Sequence, residues 1–160
     1  MKEINHGDTG STGNTKKLLL DSPNLVEITP VEVRELVEPS EELIDKVLTV
    51  ATDVHRELGP GLYENVYEAA MMIELSIRGL KSSSQVPISV NYKGHDLGLG
   101  FRADLIVEDQ LLLELKAVEE LNDQHLAQVI CYLKLLGFKR GYLLNFCAKL
   151  MKDGIKRISI

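Results

Sequence analysis

Asp104, Glu114 and Lys116 stand in two apolar runs, Phe101-Arg102-Ala103-Asp104-Leu105-Ile106-Val107 and Leu111-Leu112-Leu113-Glu114-Leu115-Lys116-Ala117. Charged groups in such surroundings lose hydration and need a compensating partner. Two carboxylates brought together repel, and desolvation raises their pKa values further unless a cation lies between them. Hard oxygen donors without a thiolate or histidine cluster point to Mg²⁺ or Mn²⁺, with water completing the octahedron. Lys116, two residues beyond Glu114 on a strand, projects to the same face. There it could orient an attacking water or stabilise charge developing on a phosphate. An ion pair of Glu114 or Asp104 with Lys116 or Arg102 accounts for the same residues without chemistry. These residues alone leave both readings open.

The chemistry depends on a hairpin. Both runs alternate with a period of two, and Glu108-Asp109-Gln110 between them suits a short loop. A three-residue loop pairs Val107 with Leu111, which sets Asp104 opposite Glu114 and Arg102 opposite Lys116 on one face. Phe101, Ala103, Leu105, Val107, Leu113, Leu115 and Ala117 then form an apolar face suited to packing under helices.

The elements around the hairpin follow from periodicity. Leu43, Ile44, Val47, Leu48, Ala51, Val54 and Leu58 recur at helical spacing, with Ser40 as N-cap and Gly59-Pro60-Gly61 as a stop. A second helix is predicted over about 62–78, closed by Gly79, with Tyr63, Val66, Tyr67, Ala70, Met71, Ile73 and Leu75 as apolar contacts. Val86, Ile88, Val90 and Tyr92 alternate as a strand, and Gly94-His95-Asp96 turns into a strand over 97–107. A third helix is expected over about 122–136, where His125, Gln128 and Tyr132 share one stripe. Residues 141–146 read as a buried strand and 154–160 as an edge strand. The order ααβββαββ predicts an α/β (α+β) fold, a mixed β-sheet flanked by helices.

At 160 residues and 44% hydrophobic content, the chain can build one core domain, here placed over 40–160. Residues 1–39 read as a flexible or extended N-terminal arm, rich in Gly, Ser, Thr and Asn at first and then in acids alternating with Val, Ile and Leu. The apolar run Leu18-Leu19-Leu20 is too short for a membrane span or signal core, so no membrane association is expected. Cys131 and Cys147 are too few for a four-thiolate site and read as reduced residues of a cytoplasmic protein. The net charge of −6 is unevenly spread: residues 111–160 hold 8 Lys and Arg against 5 Asp and Glu. Lys134, Lys139, Arg140, Lys149, Lys152, Lys156 and Arg157 could face phosphates or simply be solvated surface.

A strand-borne Asp104, then Glu114-Leu115-Lys116, then Gln128-x-x-x-Tyr132 on a helix resembles the core of the PD-(D/E)XK nuclease superfamily, particularly its RecB-like exonuclease branch. Gly61-Leu62-Tyr63-Glu64-Asn65-Val66-Tyr67 is similar to the namesake motif of the bacterial GxxExxY family, placed in that superfamily. Val54-His55-Arg56-Glu57-Leu58-Gly59-Pro60-Gly61 and Gly154-Ile155-Lys156-Arg157 add to it, so the resemblance covers about residues 41–160. Ala103 stands where the superfamily's name has proline, which removes no ligand. The resemblance implies a restriction-endonuclease-like core and hydrolysis of phosphodiester bonds in DNA or RNA. It makes Asp104 and Glu114 metal ligands, with the Leu115 carbonyl as a further one, Lys116 the catalytic amine, and Glu64, with Glu68 as its rival, the completion of the acidic set. Gln128 and Tyr132, with Arg102 and His125, would support the lysine or contact nucleic acid. A catalytically silent nucleic-acid or protein-binding module on the same fold is the alternative. Without a motor or separate recognition domain in view, a protein partner or self-association is expected.

Overall fold

In the computed structural model, which describes residues 38–98 and 100–160, regular structure begins where Ser40 accepts the Leu43 N–H through its hydroxyl. Helix α1 follows over Glu41–Leu58 and stops at Gly59, whose φ of 69° suits glycine. Of the arm read over 1–39, only Glu38 and Pro39 lie within the described residues, and Pro39 is already buried. Helix α2, Glu64–Ile77, is shorter than expected because the Gly59–Tyr63 turn uses its first residues. It buries Tyr67, Met71 and Leu75, one turn apart. Tyr63 and Ile73, expected among its core contacts, are 84% and 62% exposed: Tyr63 is the N-cap, whose extended backbone lies outside the helix, and Ile73 lies off that stripe.

Five strands form one mixed sheet: β1 (Ser82–Ile88), β4 (Phe101–Val107), β5 (Leu111–Lys116), β6 (Arg140–Asn145) and β7 (Ile155–Ser159), adjacent in that order. Only β5 and β6 run parallel. The strand expected over 97–107 begins at Phe101, and the residues before it make a small ribbon of β2 (Asn91–Tyr92) and β3 (His95–Asp96). Helix α3 (Asp123–Leu136) is the crossover that a parallel pair requires, and a single turn, α4 (Met151–Gly154), precedes β7. The predicted order is therefore correct in its main elements, with the ribbon and α4 added. No helix among the described residues is long and apolar enough to cross a membrane.

The hairpin takes the expected register, Val107 on Leu111 and Leu105 on Leu113. Its two faces differ from expectation. Leu105, Val107, Leu113 and Leu115 pack with α1 and α2, while Ile106 and Leu112 pack with Val129, Tyr132 and Leu133 of α3. Both faces are covered because the β5–β6 crossover lays α3 over the face of Asp104 and Glu114. Ala103, assigned to the Leu105 face, joins the α3 side instead. The change falls at Gln85, opposite Asp104, which the β1–β4 ladder skips between Ser84↔Leu105 and Val86↔Ala103. Its φ of 52° turns the strand there.

The C-terminal basic group is not one patch. Arg140 is buried at 6% exposure and pairs with Glu38 and Glu41. Lys149 and Lys152 lie between β6 and β7 at the Lys116 end of the sheet, whereas Lys134 and Lys139 flank the start of β6 at the other.

Candidate active site

Past Leu105↔Leu113 the β4–β5 ladder ends, and the Leu115 N–H donates to Asp104 Oδ2 at 2.8 Å. The carboxylate stands where a backbone acceptor would, and the strands part around it. No Arg102–Lys116 pair forms: Arg102 lies opposite Pro87 and donates to the Gln85 carbonyl at 3.4 Å. Glu114 is 1% exposed. Its Oε1 accepts from Lys116 Nζ at 2.7 Å, and its Oε2 is buried without a partner. Burial, then the charge of Asp104, raises the Glu114 carboxyl to about 7 against the opposing pull of Lys116. Burial also lifts Asp104, with the Leu115 amide and Lys116 opposing. Burial works against charge on Lys116, yet Glu114, Asp104 and Glu64 outweigh it and raise its pKa. Lys116 is thus an ammonium at neutral pH, a donor and a charge rather than a base.

The second helix reaches the same place from outside the sheet. Glu64, in the first turn of α2, accepts the Ala117 N–H at 3.1 Å. Its position rests on Tyr67, whose hydroxyl donates to the Gly59 carbonyl at 2.6 Å and accepts the Leu62 N–H at 3.1 Å. Tyr67 also stacks on Phe146, with centroids 4.4 Å apart. Glu68, one turn on, accepts from the Gln85 side chain at 2.6 Å. On α3, Gln128 donates to the Tyr132 hydroxyl at 2.8 Å, and Tyr132, 3% exposed, faces Phe101. Burial raises the Tyr132 phenol, the Gln128 hydrogen bond opposing. His125 turns to the helix start, where its Nδ1 accepts the Asn122 N–H and completes a capping box.

Asn145 was missed. It lies beside Lys116 in the parallel pair, 5% exposed; its Oδ1 accepts from Val118 N–H and its Nδ2 donates to the Val118 carbonyl. Next to it, Phe146 N–H donates to the Lys116 carbonyl at 2.8 Å. A polar residue in the apolar run Gly141-Tyr142-Leu143-Leu144-Asn145-Phe146 was the available signal. His55 fastens the same loop through Nε2 and the Ala148 carbonyl, 2.8 Å apart.

Among the described residues, no three Asp, Glu, His or Cys side chains gather as a metal cluster. The sheet offers two carboxylates and the Leu115 carbonyl, and the unpartnered Glu114 Oε2 is a buried acceptor calling for a cation. Mg²⁺ often takes only one or two carboxylates, with waters and substrate phosphates completing its shell. The residues present therefore fit a hard divalent ion.

A mixed sheet with two carboxylates and a lysine where two of its strands part has the architecture of a restriction-endonuclease-like core. The family model of the PD-(D/E)XK nuclease superfamily matches residues 41–158, and the chain belongs to that superfamily. No curated protein and no solved structure matches it.

The raised Glu114 pKa has a measurable consequence. Protonated Glu114 is favoured in the fold, so its contribution to stability is complete below the ordinary value of 4.5 and disappears as pH rises through about 7. Between about pH 5 and pH 8 the metal-free wild type should lose roughly 2–3 kcal/mol that Glu114→Gln does not lose. Urea unfolding in chelator at both pH values measures this, and equal losses would refute it.

Proposed function

We propose that the chain is a metal-dependent nuclease that hydrolyses phosphodiester bonds, with DNA the favoured substrate, and that Asp104, Glu114 and Lys116 carry the chemistry. The observation supporting this most directly is Glu114: a buried carboxylate oxygen without a partner, beside a second carboxylate, in a chain of a nuclease superfamily. Asp104, Glu114 and the Leu115 carbonyl would hold Mg²⁺ or Mn²⁺. The ion supplies neutralisation of a phosphate and a lowered pKa for water. Lys116, kept charged by its acidic neighbours, donates to the phosphate or to the attacking water. Glu64 fixes the backbone just past Lys116 through the Ala117 amide, so its role here is positioning. Gln128 and Tyr132 close the α3 side of the site. The motif residues Gly61, Glu64 and Tyr67 support assignment to the GxxExxY family and its RecB-like relatives, and two free cysteines suit a cytoplasmic location.

Calorimetry with Mn²⁺ tests the ligand set. Asp104→Asn and Glu114→Gln should each weaken binding by at least the roughly 10–100-fold that outer-shell changes cost. Cleavage assays on single-stranded DNA, duplex DNA and RNA decide the substrate, and undiminished cleavage by both variants sinks the proposal. The 2.7 Å Glu114–Lys116 pair favours a second reading, a silent binding module with a structural ion pair. No heat of binding at millimolar metal would select it.

A further inference from the structure

The β2–β3 ribbon contributes nothing to the core. Every residue from Asn91 to Gly98 is exposed. Its two sides nevertheless differ. Antiparallel pairing sets Tyr92 opposite His95, and the Leu97 N–H donates to the Val90 carbonyl at 2.9 Å, so Val90, Tyr92, His95 and Leu97 share one side. Tyr92 is 59% exposed and Leu97 47%. The other side holds Asn91 and Asp96, and the Asp96 carboxylate accepts the Gly98 N–H at 2.9 Å. At the tip, Lys93 and Gly94 have φ of 50° and 83°, the two-residue turn for which Asn-Gly is the usual pair. Lysine is held there in a conformation that disfavours it, with its ammonium 5.3 Å from the Tyr92 ring centroid.

The ribbon leads from Ile88 to Phe101, at the end of β4 where the strands part around Asp104. Phe101 is 45% exposed, its ring centroid lies 5.6 Å from that of Tyr132, and it stands about 10 Å along the strand before Asp104. Among the described residues the exposed Tyr and Phe rings are those of Tyr63, Tyr92 and Phe101, so two of them belong to this one segment. Between Ile88 and Asp104 the cations are Lys93 and Arg102 and the one carboxylate is Asp96, which makes the segment positive within a chain of net charge −6.

We propose that the ribbon and Phe101 are the substrate arm of the site and select single-stranded nucleic acid, unpaired bases stacking on Phe101 and Tyr92 while Arg102 and Lys93 meet the flanking phosphates. Nucleic acid is the occupant because the chain belongs to a nuclease superfamily, so the arm rests on the nuclease reading of Asp104, Glu114 and Lys116. Exposed rings interleaved with cations are the surface a single strand requires: the rings take base faces of any sequence, and the cations take the backbone. In a duplex those faces are already stacked on neighbouring pairs and reach neither ring.

Fluorescence anisotropy of the full chain with labelled oligonucleotides tests the arm. In chelator, where no cleavage competes, oligothymidine or oligouridine should bind at least roughly tenfold more tightly than a duplex of equal length, and running both tells DNA from RNA. Tyr92→Ala should weaken single-strand binding about tenfold, whereas Tyr92→Phe should match the wild type, since stacking needs the ring and not the hydroxyl. Lys93→Asn, which suits the turn better, should leave melting unchanged or raised while flattening the salt dependence of binding. A duplex bound as tightly as the single strand, the result expected if the ribbon enters a major groove, overturns the proposal. So do a Tyr92→Ala protein that binds like the wild type, a Tyr92→Phe protein that does not, and a Lys93→Asn protein with unaltered salt dependence. Binding in chelator is read without catalysis, so ring-dependent strand binding by a chain that cleaves nothing with Mn²⁺ would count against the nuclease reading alone.

Discussion

Lys116→Met is expected to lower metal-dependent cleavage by roughly 10²–10³-fold, the cost of removing one preorganised donor from a reacting centre. The loss has two sources. The ammonium that would meet the phosphate is gone, and so is the cation 2.7 Å from Glu114 that restrains its pKa. With the burial and Asp104 contributions unopposed, Glu114 moves further up from about 7 and becomes a neutral acid at physiological pH. The variant should therefore stay folded, since a neutral carboxyl is far cheaper to bury than an unpaired anion. It should also bind metal more weakly below neutrality, where the ligand must first lose its proton. Cleavage within tenfold of wild type, with folding verified by circular dichroism, would remove Lys116 from the chemistry.

Gly154→Ala is expected to destabilise the fold by about 1–3 kcal/mol or more, the usual cost of overpacking, because the obstacle is backbone. A Cβ at Gly154 would sit 2.2 Å from the Asn145 carbonyl oxygen and 3.0 Å from Ala148 Cβ. Either α4 or the loop after β6 must give way. The loop is tied to the active strand: Asn145 holds both polar groups of Val118, and Phe146 holds the Lys116 carbonyl. Displacement there should lower cleavage as well as stability. Urea unfolding measures the first, and a variant as stable as wild type would refute the close approach. The contact gives a physical reason for glycine in Gly154-Ile155-Lys156-Arg157, a segment the sequence singles out without explaining.

Much of the fold was legible because its signals are local. Ser40 and Gly59 bound α1, Asn122 and Gly137 bound α3, and the loop Glu108-Asp109-Gln110 sets the hairpin register that brings Asp104 toward Glu114. Glu108 and Asp109 adopt φ near 51° and 54°, a conformation that aspartate tolerates better than most residues. The failures are non-local. Ile73 has the right spacing for a core residue, and only the packing of the Tyr67-Met71-Leu75 stripe into the core leaves it outside. Arg140 reads as surface charge until Glu38 and Glu41 are brought to it from about a hundred residues away. His125, on the same stripe as Gln128 and Tyr132, serves the helix start because Asn122 precedes it.

The sequence by itself determined which residues can do chemistry here: two carboxylates and a lysine at strand spacing, held in register by a short loop. Tertiary structure decided their electrical state. Whether Asp104 and Glu114 are solvated charges on an open face or a desolvated pair depends on α3 covering one side and α2 bringing Glu64 to the Ala117 amide. Periodicity records which face a side chain takes along its own strand. It carries no information on what a crossover helix lays over that face, and burial sets the pKa values on which the site depends.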